Sequence, residues 1–300
     1  FAALVVIGGR LGDLFGAKPL FLAGLVGFTA TSLWCGLAGS GIELVAARTS
    51  QGATAALMIP QILGTIHRLF PDHERGRAFG IYGTVLGLGG AVGFGLGGWL
   101  IGVDLGGLGW RAIFFVNGPV GLVLIAMAAR LMTTTLGKPA TKLDIIGADL
   151  LFSALLCLLG PIVVGRELGW PLWLIEVAGL GALLLAMFWW HQVRSERRGK
   201  APLLPPSLFA APAVATGFAA VFAFAFANIA FYLVLTMFMQ MGLGFSPTVS
   251  GAVVLPLAFA FAIASRKAGP QSQRRGPTAI VEGCIVQILG MALLDRKSVV

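Results

Sequence analysis

Long apolar runs without charge alternate with short polar segments along the whole chain. A helix that crosses the ~30 Å hydrocarbon core of a bilayer needs about 20 residues. The runs predict membrane-spanning helices at 19–41, 46–66, 78–103, 112–129, 145–165 and 171–190, two more within 208–264, and partial ones at 1–9 and 278–294. The Gly- and Pro-containing segment 240–248 predicts the turn that divides the longest run.

The composition excludes a water-soluble fold. Only 11% of the residues are charged and 57% are hydrophobic, whereas ordinary soluble domains have about 25% charged residues. We therefore expect an all-α, polytopic helical membrane protein. The three cysteines lie far apart in apolar stretches and predict neither a disulfide framework nor a metal site, and no cofactor is implied.

The basic residues concentrate in alternate loops. Sixteen lie in one set of loops: Arg10, Lys18, Arg68, Arg75, Arg77, Arg130, Lys138, Lys142, Arg194, Arg197, Arg198, Lys200, Arg266, Lys267, Arg274 and Arg275. The other set holds only Arg111 and Arg166. Because loops rich in Lys and Arg stay on the cytoplasmic side, we expect the first set in the cytoplasm and the protein in the inner (plasma) membrane. The net charge of +9 is then explained by the orientation of the protein in the lipid bilayer, where basic loops are attracted to the anionic inner leaflet. It predicts no nucleic-acid partner.

The first basic loop, residues 9–18, reads GRLGDLFGAK. Glycines let the backbone turn closely, and Asp13 can face a helix N-terminus or a basic partner. The loop resembles the cytoplasmic gate motif G-x-L-a-D-r-x-G-r-k between helices 2 and 3 of the major facilitator superfamily, through Gly9, Leu11, Asp13, Gly16 and Lys18. Positions 14 and 17 depart from the motif, which has arginine there. A generic polar turn is the alternative interpretation.

The apolar run 46–66 contains Arg48, followed by Gln51 and Gly52. An arginine inside a span costs at least ~3 kcal/mol on insertion scales, so it needs a partner or a water-filled cavity; snorkelling to the nearby outer end is the alternative. The stretch resembles l-x-x-R-x-x-q-G on helix 4 of the same superfamily, which implies a role in proton coupling. Helix 1 of the family, which carries a membrane-embedded acidic residue, precedes the matched part. We therefore expect Arg48 to be unpaired or turned toward Gln51 and Thr54.

The next span is rich in glycine. Its segment with Gly89, Gly93, Phe94, Gly97 and Gly98 resembles the antiporter pattern g-x-x-x-G-P-x-x-G-G, with phenylalanine in place of the proline. The four-residue spacing of Gly89, Gly93 and Gly97 predicts a smooth stripe for close helix contact. Packing alone also explains the stripe.

The segment 110–121 contains Trp110, Arg111, Asn117 and Pro119. It resembles W-R-x-x-F-x-x-N-x-P-x-G at the start of helix 6 in the fourteen-helix drug:proton antiporters of the EmrB/QacA type. Segments 143–150, 202–209 and 240–256 also resemble that branch. The resemblance implies a chain truncated at both ends, without helix 1, most of helix 11 and helices 12 to 14.

The resemblance also implies a domain organisation. Residues 1–132 are expected to form the amino-terminal bundle (helices 2–6), residues 133–200 a two-helix insert, and residues 201–294 the start of the carboxy-terminal bundle of a partial major facilitator-type fold. The last six residues, 295–300, break an apolar segment abruptly and are interpreted as a non-native tail. An ordinary basic loop is the alternative.

The function implied by the resemblance is secondary active transport: export of amphipathic drugs or related organic compounds in exchange for protons, by alternating access. The expected partners are the small substrate, protons and a periplasmic adaptor protein. One alternative is an inactive truncated fragment of such a transporter. Another is a membrane-embedded enzyme, for which the sequence offers only the cluster Asp72-His73-Glu74. Adjacent side chains rarely converge on one ion, so no metal site is expected.

Overall fold

A computed structural model describes residues 1–133 and 144–297. Within these ranges the protein is helical and contains no β-strand, which confirms the all-α prediction. The helices are α1 (Ala2–Phe15), α2 (Ala17–Leu37), α3 (Gly41–Leu69), α4 (Asp72–Val103), α5 (Ala112–Phe115), α6 (Asn117–Leu131), α7 (Ile145–Leu168), α8 (Leu172–Arg197), α9 (Ser207–Ala210), α10 (Pro212–Met237), α11 (Pro247–Arg275) and α12 (Pro277–Lys297). Two 3₁₀ turns, Leu105–Gly107 and Gly109–Arg111, precede α5, and a π-helical turn, Phe238–Gly242, follows α10.

Within residues 1–133 and 144–297, seven helical segments are long and apolar enough to cross a membrane. They are Ala17–Leu37, Asp72–Val103, Gly109–Leu131, Ile145–Leu168, Leu172–Arg197, Pro212–Gly242 and Pro247–Ser272. The predicted spans at these places overlap them, and the predicted turn at 240–248 contains the break at 243–246 between the last two. The chain is therefore a multi-pass membrane protein.

The predicted span at 46–66 forms the 29-residue helix α3, but α3 is not among the seven. Arg48, Gln51 and Gln61 lower its hydropathy. Both glutamines are buried, each with an exposed fraction of 3%. A polar side chain in contact with lipid is costly, so such groups face the interior of a helix bundle. Helix α3 therefore turns two of the buried polar groups of the described residues toward the interior of the bundle.

Three segments predicted as loops are largely helical. Helix α1 continues to Phe15, α4 begins at Asp72, and α11 continues to Arg275. The prediction was wrong because a scan for charge-free runs marks the limits of the hydrocarbon core, and a helix can extend beyond them into water. The actual break between α1 and α2 is Gly16 alone, with φ 92°, a value that glycine adopts without a Cβ clash. The predicted basic positions at 138 and 142 lie outside the described residues.

The chain forms two compact units. The first unit is Phe1–Gly64 with Ile113–Leu235, and the second is Thr65–Ala112 with Thr236–Val300. In the first unit α2 packs against α6, and α7 against α8; in the second, α4 packs against α11. The predicted division into two bundles and an insert, with boundaries near 132 and 200, stays a prediction.

The glycines Gly87 and Gly98, which lie outside the predicted stripe of Gly89, Gly93 and Gly97, permit close contact between α4 and α11. A Cβ on Gly87 would lie 3.0 Å from the backbone of α11, and one on Gly98 would lie 2.9 Å from the first residue of that helix. A Cβ on Gly89 or Gly93 would meet no atom within 4 Å among the described residues. Neither glycine therefore contacts another helix within the described residues, and the close helix contact of the stripe stays a prediction. Glycines occur on several faces of α4, so their spacing does not identify the packed face. The side chain of Phe94 lies outside the described part of the structure.

Candidate functional site

Arg48 lies about two turns after α3 begins. Its guanidinium donates a hydrogen bond from Nη1 to Oε1 of Gln51, at 2.7 Å. Residues three apart share a helix face, and Gln51 is buried, so this bond connects the exposed Arg48 to the interior. The expectation that Arg48 turns toward Gln51 is confirmed. The Thr54 hydroxyl instead donates to backbone carbonyls of its own helix.

The charge of Arg48 has no carboxylate partner in the part of the chain that the structure describes. Its Cζ lies 5.6 Å from the centroid of the Phe114 ring, a contact that contributes about 0.5–2 kcal/mol depending on desolvation. The nearest acidic residue along the chain, Glu43, accepts hydrogen bonds from the Gly39 amide (2.8 Å) and the Trp34 indole (3.0 Å). These bonds hold the pKa of Glu43 below its usual range. Arg48 is thus stabilised by an amide dipole and a ring face.

Helix α2 adds two buried polar side chains, Ser32 and Cys35, each 0% exposed. The Cys35 Sγ lies 3.9 Å from Oε1 of Gln51. Ser32 donates to the Phe114 carbonyl (3.1 Å) and accepts from Nδ2 of Asn117 (2.9 Å). Since positions 32 and 35 lie on one face of a helix, α2 brings Arg48 and Gln51 of α3 and Asn117 of α6 into one neighbourhood. We call this set of five residues the polar network.

Sequence reasoning missed Ser32 and Cys35. The signal that could have found them is the presence of small polar side chains inside an otherwise apolar span, where they often form interhelical hydrogen bonds. Gly52, which the sequence singled out, lies beside the network. A Cβ on it would be 3.3 Å from the backbone nitrogen of Phe1, so Gly52 permits the close approach of α1 to α3.

The predicted helix 6 motif is divided between the two units. Asn117 joins the polar network of the first unit. Pro119 lies in the first turn of α6 and has no N–H to donate to the carbonyl four residues earlier, which explains the interruption between α5 and α6. Trp110 and Arg111 belong to the second unit, where the guanidinium lies 4.6 Å from the centroid of the indole ring.

The predicted gate motif forms the end of α1 and the start of α2. A Cβ on Gly9 would lie 3.6 Å from the Cβ of Pro60 on α3, an ordinary van der Waals distance. Leu11 and Lys18 are half-buried. Asp13 is exposed, and within residues 1–133 and 144–297 it has neither a hydrogen bond nor an ion pair. The role of the motif as a gate stays a prediction.

Two further glycines of α1 make its close contact with α3. A Cβ on Gly8 would overlap the carbonyl of Ala56, and one on Gly12 would overlap the side-chain amide of Gln61. The Gln61 amide donates to the Gly8 carbonyl at 2.8 Å. The buried glutamine is therefore satisfied only because α1 has no side chain at these two positions.

Arg10, between these glycines, holds the linker that follows α8. Its Nη2 donates to the carbonyls of Pro202 (2.5 Å) and Leu203 (3.3 Å). Leu203 is 4% exposed and packs in an apolar cluster with residues of α7 and α8. Arg10, which the sequence analysis counted among the basic residues of the cytoplasmic loops, thus also fixes the backbone of the linker at Pro202 and Leu203.

Asp144 joins α7, α8 and the same linker. Its Oδ1 accepts from the Gly147 amide at the start of α7 and lies 2.9 Å from Nε2 of His191, and its Oδ2 accepts from the Gln192 amide at 2.9 Å. Gln192 in turn accepts from the Leu204 amide at 3.0 Å. Burial raises the pKa of Asp144, but these hydrogen bonds outweigh burial and hold the pKa below its ordinary value. We call Arg10, Asp144, His191 and Gln192 the linker clamp.

The cluster Asp72-His73-Glu74, the sequence feature on which the enzyme alternative rests, lies on the exposed first turn of α4. Asp72 forms an ion pair with Arg75, and Nε2 of His73 lies 3.9 Å from a Glu74 oxygen. Across the described ranges no three His, Cys, Asp or Glu side chains are grouped so that they could hold a metal ion. The side chains of the cluster form surface ion pairs and do not converge on one point.

Comparison with known proteins identifies the family. Residues 1–294 match the family model of the Major Facilitator Superfamily. The chain is 39% identical to a probable actinorhodin transporter of Streptomyces coelicolor, over 98% of this chain and 51% of the relative. It is 35% identical to a puromycin resistance protein of Streptomyces alboniger (99% and 58%) and 32% identical to a tetracenomycin C resistance and export protein of Streptomyces glaucescens (99% and 55%). The chain spans about half the length of these curated relatives. The chain therefore belongs to the Major Facilitator Superfamily.

Proposed function

We propose that the chain is part of a secondary transporter that exports amphipathic organic compounds in exchange for protons. The observation that carries the proposal is the polar network, in which Arg48, exposed on α3, is held by a buried glutamine without a carboxylate counterion among the described residues. Ionisable groups inside a membrane protein mark substrate and ion pathways. The relatives described as antibiotic transporters and export proteins support this direction, and membership of a transporter family favours transport over membrane-embedded catalysis.

In the proposed mechanism Arg48 exchanges partners. When an acidic group elsewhere in the protein, or an anionic group of the substrate, is charged, it pairs with the guanidinium. When that group is protonated or absent, Arg48 returns to Gln51 and Phe114. Because each arrangement stabilises a different conformation, proton or substrate binding shifts the population between them. We assign the chain to the fourteen-helix branch as part of this proposal, with a periplasmic adaptor protein as an expected partner.

A direct test measures dye efflux. Cells express the 300-residue chain or the longest reading frame that contains it, and are loaded with a fluorescent amphipathic cation. We expect efflux that collapses when a protonophore is added. Efflux that persists without a proton gradient would contradict proton exchange, and efflux from neither chain would contradict export. Efflux from the longer chain alone would assign the 300 residues to the inactive-fragment alternative.

The proposed orientation has its own test. Single cysteines replace Leu108 or Lys200 in a background whose three native cysteines are alanine. Both positions are exposed, and the unequal distribution of basic residues places Lys200 in the cytoplasm. In intact cells an impermeant thiol reagent is expected to label Leu108→Cys at once, and Lys200→Cys only after permeabilisation. The reverse pattern would invert the topology.

A further inference from the structure

The end of α8 carries a basic surface cavity apart from the polar network. The cavity has a volume of about 360 Å³ and is lined by Trp190, Val193, Arg194, Arg197 and Arg198. Positions 190, 194 and 197 are three or four residues apart and therefore share one helix face. The Cζ of Arg194 lies 5.2 Å from the centroid of the Trp190 ring. The wall is thus aromatic at one end and cationic at the other.

The positive charge of this cavity is not neutralised by any carboxylate in the part of the chain that the structure describes. All three arginines are exposed, and none forms an ion pair with a carboxylate of residues 1–133 or 144–297. The acidic residue between them, Glu196, accepts hydrogen bonds from the amide and the hydroxyl of Ser207. These bonds tie Glu196 to the first residue of α9, so the guanidinium groups keep their donors available.

We propose that this cavity binds the phosphate of an anionic phospholipid headgroup. Guanidinium groups bind phosphate oxygens through paired, charge-assisted hydrogen bonds. Trp190 has an exposed fraction of 61% and lies near the end of the apolar span Leu172–Arg197, where tryptophan occupies the membrane–water interface. A free phosphate ion can form the same hydrogen bonds with the arginines, but it has no apolar part to contact Trp190 and Val193. That wall favours the lipid, whose glycerol and first acyl carbons continue from the phosphate.

Lipid binding at the end of α8 is expected to affect the stability of the protein, because other residues of the same helix end hold the linker. His191 and Gln192, which alternate with the cavity residues along α8, belong to the linker clamp. A bound headgroup bridges the arginines of the last two turns of α8. We therefore expect the lipid to stabilise the helix end and to raise the thermal unfolding midpoint of the protein.

The test uses native mass spectrometry and thermal unfolding of the purified chain in detergent. Dioleoyl phosphatidylglycerol, dioleoyl phosphatidylcholine or sodium phosphate is added to the chain and to the double variant Arg194→Gln/Arg197→Gln. We expect phosphatidylglycerol affinity to fall about fivefold for each arginine removed, the factor that corresponds to the ~1 kcal/mol of a basic residue near an anionic membrane surface. Arg194→Lys keeps the charge but loses the fork, and is expected to bind with intermediate affinity.

The matched control is Arg266→Gln/Lys267→Gln on α11, which removes the same charge at two exposed positions. We expect it to bind phosphatidylglycerol as the unmodified chain does. Three results would overturn the proposal: equal loss of binding in the control, equal binding of phosphatidylcholine, or displacement of the lipid by equimolar sodium phosphate. Loss of the lipid-dependent rise in unfolding midpoint only in the α8 variant would support it.

Discussion

Replacing Arg48 with alanine is expected to reduce efflux by at least about tenfold, since a hydrogen bond to a charged group contributes about 1.5–3 kcal/mol. Arg48→Lys is expected to reduce efflux nearly as much as Arg48→Ala. The planar guanidinium reaches Gln51 with one nitrogen while its Cζ lies 5.6 Å from the centroid of the Phe114 ring, and an ammonium group cannot satisfy both contacts. Arg166→Ala, which removes an exposed arginine near the end of α7, is the matched control and should transport normally.

Substitutions of Gln51 separate the coupling role of Arg48 from an anchoring role. Gln51→Glu gives the guanidinium a permanent counterion at the same position and should hold it there. We expect this variant to remain folded and to lose transport, because Arg48 no longer exchanges partners. If Arg48→Ala and Arg48→Lys both transport normally across the pH range, Arg48 is only a snorkelling anchor and the coupling proposal is wrong.

Apolar run length was sufficient to predict the helical fold. Crossing the hydrocarbon core requires about 20 residues with satisfied backbone hydrogen bonds, so the spans are encoded locally. The ends of the helices are not encoded in this way, because outside the hydrocarbon a helix can continue through charged residues. Helix α11 shows this clearly, since it passes Arg266 and Lys267 and ends only at Gly276, with φ 55°.

The candidate site was only half visible in the sequence. Arg48 and Gln51 were found because a charge inside an apolar run is costly wherever the chain folds. Ser32 and Cys35 contribute through contacts made 16 or more positions away along the chain, so the small polar character of these residues alone does not show which groups they contact. Likewise, Gly12 matters because Gln61 needs the space, a requirement that only the packing of α1 against α3 reveals.

The linker clamp supplies the second large effect, on stability. Asp144→Ala removes the acceptor of the Gly147 and Gln192 amides and the partner of His191. Loss of an N-cap costs about 1 kcal/mol, and buried donors left without an acceptor cost about 1–3 kcal/mol more. We therefore expect thermal unfolding in detergent at a clearly lower temperature. Asp149→Ala is the control, because Asp149 lies on the same helix but is exposed.

The pH dependence of this effect has a defined sign. The pKa of Asp144 is lowered from its ordinary value of 3.8, so the charged form is favoured in the folded protein. Its stabilisation is complete above the unfolded pKa and is lost as the pH falls through the folded pKa. The difference in unfolding midpoint between the unmodified chain and Asp144→Asn should therefore be present at neutral pH and shrink as the pH falls below about 4. A difference that stayed unchanged as the pH fell below about 4, or an equal loss in Asp149→Ala, would show that the Asp144 carboxylate does not hold α7, α8 and the linker together.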